Sequence, residues 1–196
     1  MPEKERPVIV ETTALPDVLI LTPKVFRDSR GSFSEVWNRR TLAAQGIEMD
    51  FVQDNQSVSE RLGVVRGLHY QGPPHAQDKL VRCGAGAVLD VVVDVRRGSP
   101  TYGRWLGVEL SAENARQLLI PKGFLHGFVT RTAGAMLLYK TTDVYVPECD
   151  GAVHFADPDI GIDWGLAPED AIVSDKDAQA PRLAAWNSPF VYEGKA

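Results

Sequence analysis

Residues 87–95, AVLDVVVDV, alternate with a period of two. Leu89, Val91, Val93 and Val95 fall on one face, and Val88, Asp90, Val92 and Asp94 on the other. So regular a run of β-branched residues reads as a strand. Two aspartates on one face are out of place in a solid core, yet they suit the inner wall of a barrel around a polar cavity.

The flanking chain is cut into similarly short pieces. Residues 15–26 read as strand, proline break and turn, Gly31 as a turn, and 33–37 as a short strand. Residues 38–45 have helical composition and stop at Gly46. Strands are expected at 51–59, 105–110 and 117–120, with a turn at 111–114 and a hairpin of 128–130 with 135–139 around Gly134. Gly84-Ala85-Gly86 precedes a strand and lacks a third glycine, so it reads as a tight turn and not a nucleotide loop. Strands without alternating helices point to an all-β antiparallel barrel or sandwich of jelly-roll type with a few short peripheral helices. One domain over 1–196 is expected, its barrel core at about 15–164 and a helical and loop appendage at 165–196.

With 196 residues, 44% of them hydrophobic, the chain is long enough to bury a full core. A net charge of −5 leaves no basic footprint for nucleic acid or anionic membrane. The apolar runs are too short to span a bilayer, and MPEKERPVIV mixes charges of both signs with no apolar region behind it. Cys83 and Cys149 form no disulfide framework. A cytoplasmic protein is expected.

Chemistry concentrates in residues 64–83, VVRGLHYQGPPHAQDKLVRC. Two arginines, two histidines, a lysine, an aspartate and two glutamines stand there between strand-like runs. The plain alternative is a polar hairpin whose histidines serve only as hydrogen-bond partners. His69-Tyr70-Gln71 followed by His126 resembles the two-part histidine pattern of metal-binding cupin barrels. Gln71 stands where a second histidine would be, however, and two imidazoles without a carboxylate or thiolate are a poor ligand set, so no metal is expected. No G-x-S-x-G elbow marks a hydrolase. A histidine with cationic neighbours, tyrosines at 139 and 145 and late aspartates suits proton abstraction beside a carbonyl. In such chemistry a lysine or arginine steadies the enolate oxygen, one donor being worth about 3 kcal/mol.

Several motifs occur together in one order: Pro23-Lys24-Val25-Phe26, Phe51-Val52-Gln53-Asp54-Asn55, Arg66-Gly67-Leu68-His69-Tyr70-Gln71, Gln77-Asp78-Lys79-Leu80-Val81-Arg82-Cys83, Ser99-Pro100-Thr101-Tyr102-Gly103, Leu110-Ser111-Ala112-Glu113-Asn114 and Pro121-Lys122-Gly123-Phe124-Leu125-His126-Gly127-Phe128. Together they resemble the dTDP-4-dehydrorhamnose 3,5-epimerase family of cupin-type barrels, over about residues 15–181. The resemblance implies a metal-free, cofactor-free epimerase that acts on dTDP-4-dehydro-6-deoxyglucose in dTDP-L-rhamnose synthesis. His69 matches the base for C3 and C5, Asp177 its acidic partner, Tyr139 the acid on the other face, and Lys79 the cation near the C4 oxygen. Phe26, Arg30, Glu35, Gln53, Asn55, Arg66, His126, Tyr145, Asp150 and Lys176 match substrate-binding positions. A homodimer is implied, with N-terminal segments exchanged so that Arg30 and Glu35 serve a neighbouring site.

Two departures stand out: Asp150 replaces a common glutamate, and Gly165 replaces a usual proline. His75, in the Gly72-Pro73-Pro74-His75 loop, matches no role. The alternatives are an epimerase that inverts C3 or C5 alone for another deoxysugar, and a non-catalytic nucleotide-sugar binder. A binder has no use for a base and an acid on opposite faces. A metal-dependent cupin ranks behind both.

Overall fold

The computed structural model describes residues 7–194; residues 1–6, which carry most of the mixed-charge start, lie outside them. The chain forms β1 (Val8–Thr12), β2 (Leu19–Pro23), β3 (Val25–Asp28), β4 (Gly31–Ser34), α1 (Arg39–Ala43), β5 (Gln53–Ser59), β6 (Val65–Gln71), β7 (Lys79–Ala85) and β8 (Ala87–Asp94). It continues through β9 (Trp105–Ser111), β10 (Gln117–Ile120), β11 (Phe124–Thr130), β12 (Ala135–Thr141), β13 (Asp150–Ala152) and α2 (Asp175–Ala178).

A six-stranded sheet, β1-β2-β10-β7-β12-β5, faces a five-stranded sheet, β13-β6-β11-β8-β9, and all pairings within them are antiparallel. This is the expected all-β jelly-roll barrel. β3 and β4 form a separate two-stranded ribbon, on which Phe26 faces Phe33 across the strands with both rings largely in solvent.

Three apolar layers hold the sheets. Val81, Val88, Val92, Leu118, Phe124, Phe128 and Leu137 pack between them. Val91, Val93, Val95, Leu125 and Val129 pack on the outer face of the five-stranded sheet against Val153, Phe155, Trp164 and Phe190 from the chain's last third. Leu21, Leu80 and Leu119 on the other outer face are covered by Leu42 of α1 and by Ile47. The two faces of β8 thus meet two different layers, as its alternation requires. The aspartates separate, however. Asp90 points into the barrel, while Asp94 accepts from Arg96 Nε at 3.0 Å, Ser99 Oγ at 2.7 Å and Thr101 Oγ1 at 2.7 Å and closes the turn after β8.

Other expectations need correction. Residues 128–130 and 135–139 are no hairpin: β11 bonds to β6 and β8, β12 to β5 and β7, and the link crosses between sheets. Nor is 64–83 a hairpin, because β6 and β7 also lie in opposite sheets. In each case both strands carry an inward apolar face, and facing one another across the core buries both. α1 is shorter than 38–45, since Asn38 is its cap: Oδ1 accepts from the N–H groups of Arg40 and Thr41. β1 and β13 had no expectation.

Candidate active site

The crossing of β6 to β7 sends the two halves of the polar stretch to opposite walls of one cavity of about 740 Å³. His69 and His126 are direct partners across β6 and β11 on one wall. Lys79 and Tyr139 come from the neighbouring strands β7 and β12 on the other, where Lys79 opposes Thr141 and Tyr139 opposes Val81. Arg66, Ser174, Lys176 and Asp177 complete the rim.

His69 Nε2 lies 2.6 Å from Asp177 Oδ1. Asp177 is buried on α2, a helix capped by Ser174, whose Oγ accepts from the Asp177 N–H. Its second oxygen accepts from the Gly67 N–H at 3.3 Å. Burial pushes the Asp177 carboxyl up, but the hydrogen bond and charge of His69, with Gly67 and Ser174, outweigh it and hold the group below its ordinary value. An ionised aspartate bonded to one ring nitrogen fixes the tautomer and leaves the other nitrogen as a base.

Gly67 lets β6 lie close against β11. Its φ is +125°, and a Cβ there would stand 2.6 Å from Gly127 Cα and 2.8 Å from the His126 carbonyl oxygen. The register of β6 against β11 shifts at this point, between His126 and Phe128.

His126 forms a second pair, with Nε2 2.9 Å from Asp90 Oδ2, both groups being buried. Burial pushes the Lys79 ammonium down to about 8, a fall that the charges of Asp150 and Asp90 partly offset. Burial pushes the Tyr139 phenol up, and Asp150 adds to this against the opposing charge of Arg66. Tyr139 is thereby kept as a proton donor at neutral pH. The barrel presents a carboxylate-held imidazole on one wall and a phenol beside a lysine on the other, an arrangement able to remove a proton from one face of a carbon acid and return one to the opposite face.

The expected binding residues divide into groups. Arg66, His126 and Lys176 line the cavity. Arg66 Nε donates to Ser59 Oγ at 3.2 Å. Lys176 forms an ion pair with Asp150, which links α2 to β13. Asn55 is the direct partner of Tyr139 across β5 and β12, and Gln53 accepts from the Tyr145 N–H at 3.0 Å and donates to Asn55 Oδ1. Phe26, Arg30 and Glu35 belong to the separate ribbon and its exit, and none lines this cavity. Arg30 instead pairs with Asp28 at 2.7 Å.

Asp90, Gly67 and Ser174 were missed as site residues. Asp90 had left a signal, a carboxylate on the inner face of a valine strand. Gln71 has a different duty from the ligand position it occupies by pattern: its buried amide donates to the carbonyls of His75 and Val144 and accepts from the Val146 N–H. Among the described residues, no group of three or more His, Cys, Asp or Glu side chains is placed to hold a metal ion.

Residues 12–185 match the dTDP-4-dehydrorhamnose 3,5-epimerase family. The enzyme of that name from Salmonella typhimurium is 53% identical over 179 residues, covering 90% of this chain and 96% of that protein. Its counterpart from Pseudomonas aeruginosa is 52% identical over 173 residues, 87% of this chain and 93% of that one. A crystal structure of the Legionella pneumophila dTDP-6-deoxy-D-glucose-3,5-epimerase in complex with dTDP-4-keto-L-rhamnose superposes with a TM-score of 0.89 at 45% identity, covering 95% of this chain and all of that one.

Proposed function

The chain belongs to the dTDP-4-dehydrorhamnose 3,5-epimerase family, and from that premise we propose how its own residues carry out the reaction. The protein is an isomerase that converts dTDP-4-dehydro-6-deoxy-D-glucose to dTDP-4-dehydro-L-rhamnose, a step of dTDP-L-rhamnose synthesis. The observation that carries this reading is the His69–Asp177 pair facing Tyr139 across one cavity.

His69 removes the proton from C3, which the C4 carbonyl acidifies, and the electron pair moves onto the C4 oxygen. Lys79, protonated, stabilises that enolate. Tyr139 returns a proton to the opposite face, inverting the centre; His69 then gives its proton to solvent and Tyr139 regains one from solvent, and the same cycle at C5, also acidified by the C4 carbonyl, completes the product. Asp177 stabilises the imidazolium formed in each abstraction. The reaction as written uses no cofactor or metal.

The nucleotide is assigned to Gln53, Asn55, Arg66, Tyr145, Asp150 and Lys176, with His126 beside the sugar. Cationic Arg66 and Lys176 suit a diphosphate, and the amides suit the edge of thymine. Phe26, Arg30 and Glu35 are assigned to the site of a second copy in a homodimer that exchanges N-terminal segments. Their position on a ribbon apart from the chain's own cavity, with Phe26 and Phe33 in solvent, supports this. A single functional domain and a cytoplasmic location complete the reading. Free thiols at Cys83 and Cys149 accord with that compartment, and among the described residues no helix is long and apolar enough to cross a membrane.

The test is product analysis by nuclear magnetic resonance, with the purified protein and dTDP-4-dehydro-6-deoxyglucose. A sugar inverted at both C3 and C5 is expected; inversion at one centre alone would replace the reading with a single-position epimerase, and no turnover would leave a binder.

A further inference from the structure

His75 has no part in the reaction above, yet its ring is not idle. Nδ1 lies 3.1 Å from Asp143 Oδ2, both side chains being partly exposed. The pair joins two loops: residues 72–78, which lead from β6 to β7, and residues 142–146, which leave β12 and carry Tyr145.

Around this pair the loops are stitched by side-chain amides. Gln71 donates to the carbonyls of His75 and Val144, and Gln77 donates to the Asp143 carbonyl at 2.8 Å. The other carboxylate oxygen of Asp143 accepts from the Val144 N–H at 2.8 Å. Asp143 therefore fixes the backbone immediately before Tyr145 while its remaining oxygen faces His75. On the far side, the Tyr145 N–H is held by Gln53. Tyr145 itself is 55% exposed, so the loop's fastenings, and not packing of the ring, set where the ring stands.

We propose that His75 is a positioning residue for nucleotide binding. It holds Asp143, and through it the 142–146 loop, so that Tyr145 is already placed when the nucleotide arrives. The effect on affinity comes from pre-organisation: a loop fixed before binding loses less freedom on binding. The inference rests on the proposed placement of the nucleotide beside Tyr145.

The test is titration calorimetry with thymidine diphosphate on the full chain, together with steady-state kinetics. His75→Ala is expected to weaken Kd and KM by about two- to fivefold, the range for one partly exposed polar pair, with kcat little changed and the thermal midpoint within a few degrees of wild type. His75→Asn, whose side-chain N–H can stand where Nδ1 does, is expected to restore most of the affinity. Unchanged Kd in His75→Ala, or equal losses in the alanine and asparagine variants, would overturn the proposal. Tyr145→Ala separates the two levels. If it weakens thymidine diphosphate binding while His75→Ala does not, only this inference fails. If it leaves affinity unchanged, the nucleotide placement itself fails.

Discussion

Asp177 Oδ1 stands 2.6 Å from His69 Nε2, although 108 residues separate them in the chain. The contact joins a four-residue helix near the C-terminus to the middle of β6. Asp177→Asn preserves the shape of this contact but removes the charge that orients and steadies the imidazole. Turnover is expected to fall by about 10²–10⁴-fold, the range for general acid–base catalysis, with thymidine diphosphate affinity within a few-fold of wild type. A parallel loss of affinity would assign Asp177 to binding.

Lys79 sits where charge is costly, and that cost is measurable. Its folded value of about 8 lies below the ordinary lysine value of 10.5, so below pH 8 the folded and unfolded chains are both protonated and the desolvated charge weighs against folding. Between about pH 8 and 10.5 the folded protein releases this proton first, so the Lys79 contribution to stability improves as pH rises. Lys79→Met is expected to gain stability at pH 7, by on the order of 3 kcal/mol at most, and to lose turnover. Denaturant unfolding and a rate assay on the same sample check both, and a destabilised variant would contradict the first.

The same lysine is expected to set the alkaline limb of the rate profile. The free enzyme's kcat/KM is expected to fall as pH rises through about 8, where Lys79 loses its proton. The anionic substrate and enolate favour the ammonium, so the corresponding limb in kcat is displaced upward. Loss of the limb near 8 in Lys79→Arg would identify its source.

Tyr139→Phe removes a phenol that burial keeps protonated. Turnover is expected to drop far more than substrate affinity, because the ring's contacts remain and only the proton donor is gone. Unchanged kcat would exclude Tyr139 as the acid.

Gly67→Ala places a Cβ against Gly127 and the His126 carbonyl at a positive φ. A loss of about 2–4 kcal/mol in stability is expected, read by denaturant unfolding. Wild-type stability would show that β6 and β11 can part without penalty.

Much of this site was legible in the sequence, but unevenly. The alternation of 87–95 announced both a strand and an inward carboxylate, and Asp90 is indeed that carboxylate. Its partner His126 was legible only as part of a resemblance, since nothing local links positions 36 apart. Strands were read well because a period of two is local. Their sheet membership was not, so 64–83 and 128–139 looked like hairpins when each crosses the barrel. Gln71 looked like a failed metal ligand because its true partners include the carbonyl of Val144, 73 residues away, and backbone groups leave no signature in sequence.

His69 is assigned the abstraction of both protons. Wild-type enzyme and His69→Ala are incubated with dTDP-4-dehydro-6-deoxyglucose in deuterated water, and the label at C3 and C5 is counted by mass spectrometry and nuclear magnetic resonance. Deuterium is expected at both carbons with wild type and at neither with the variant. Exchange that persists at either carbon in His69→Ala would contradict that assignment.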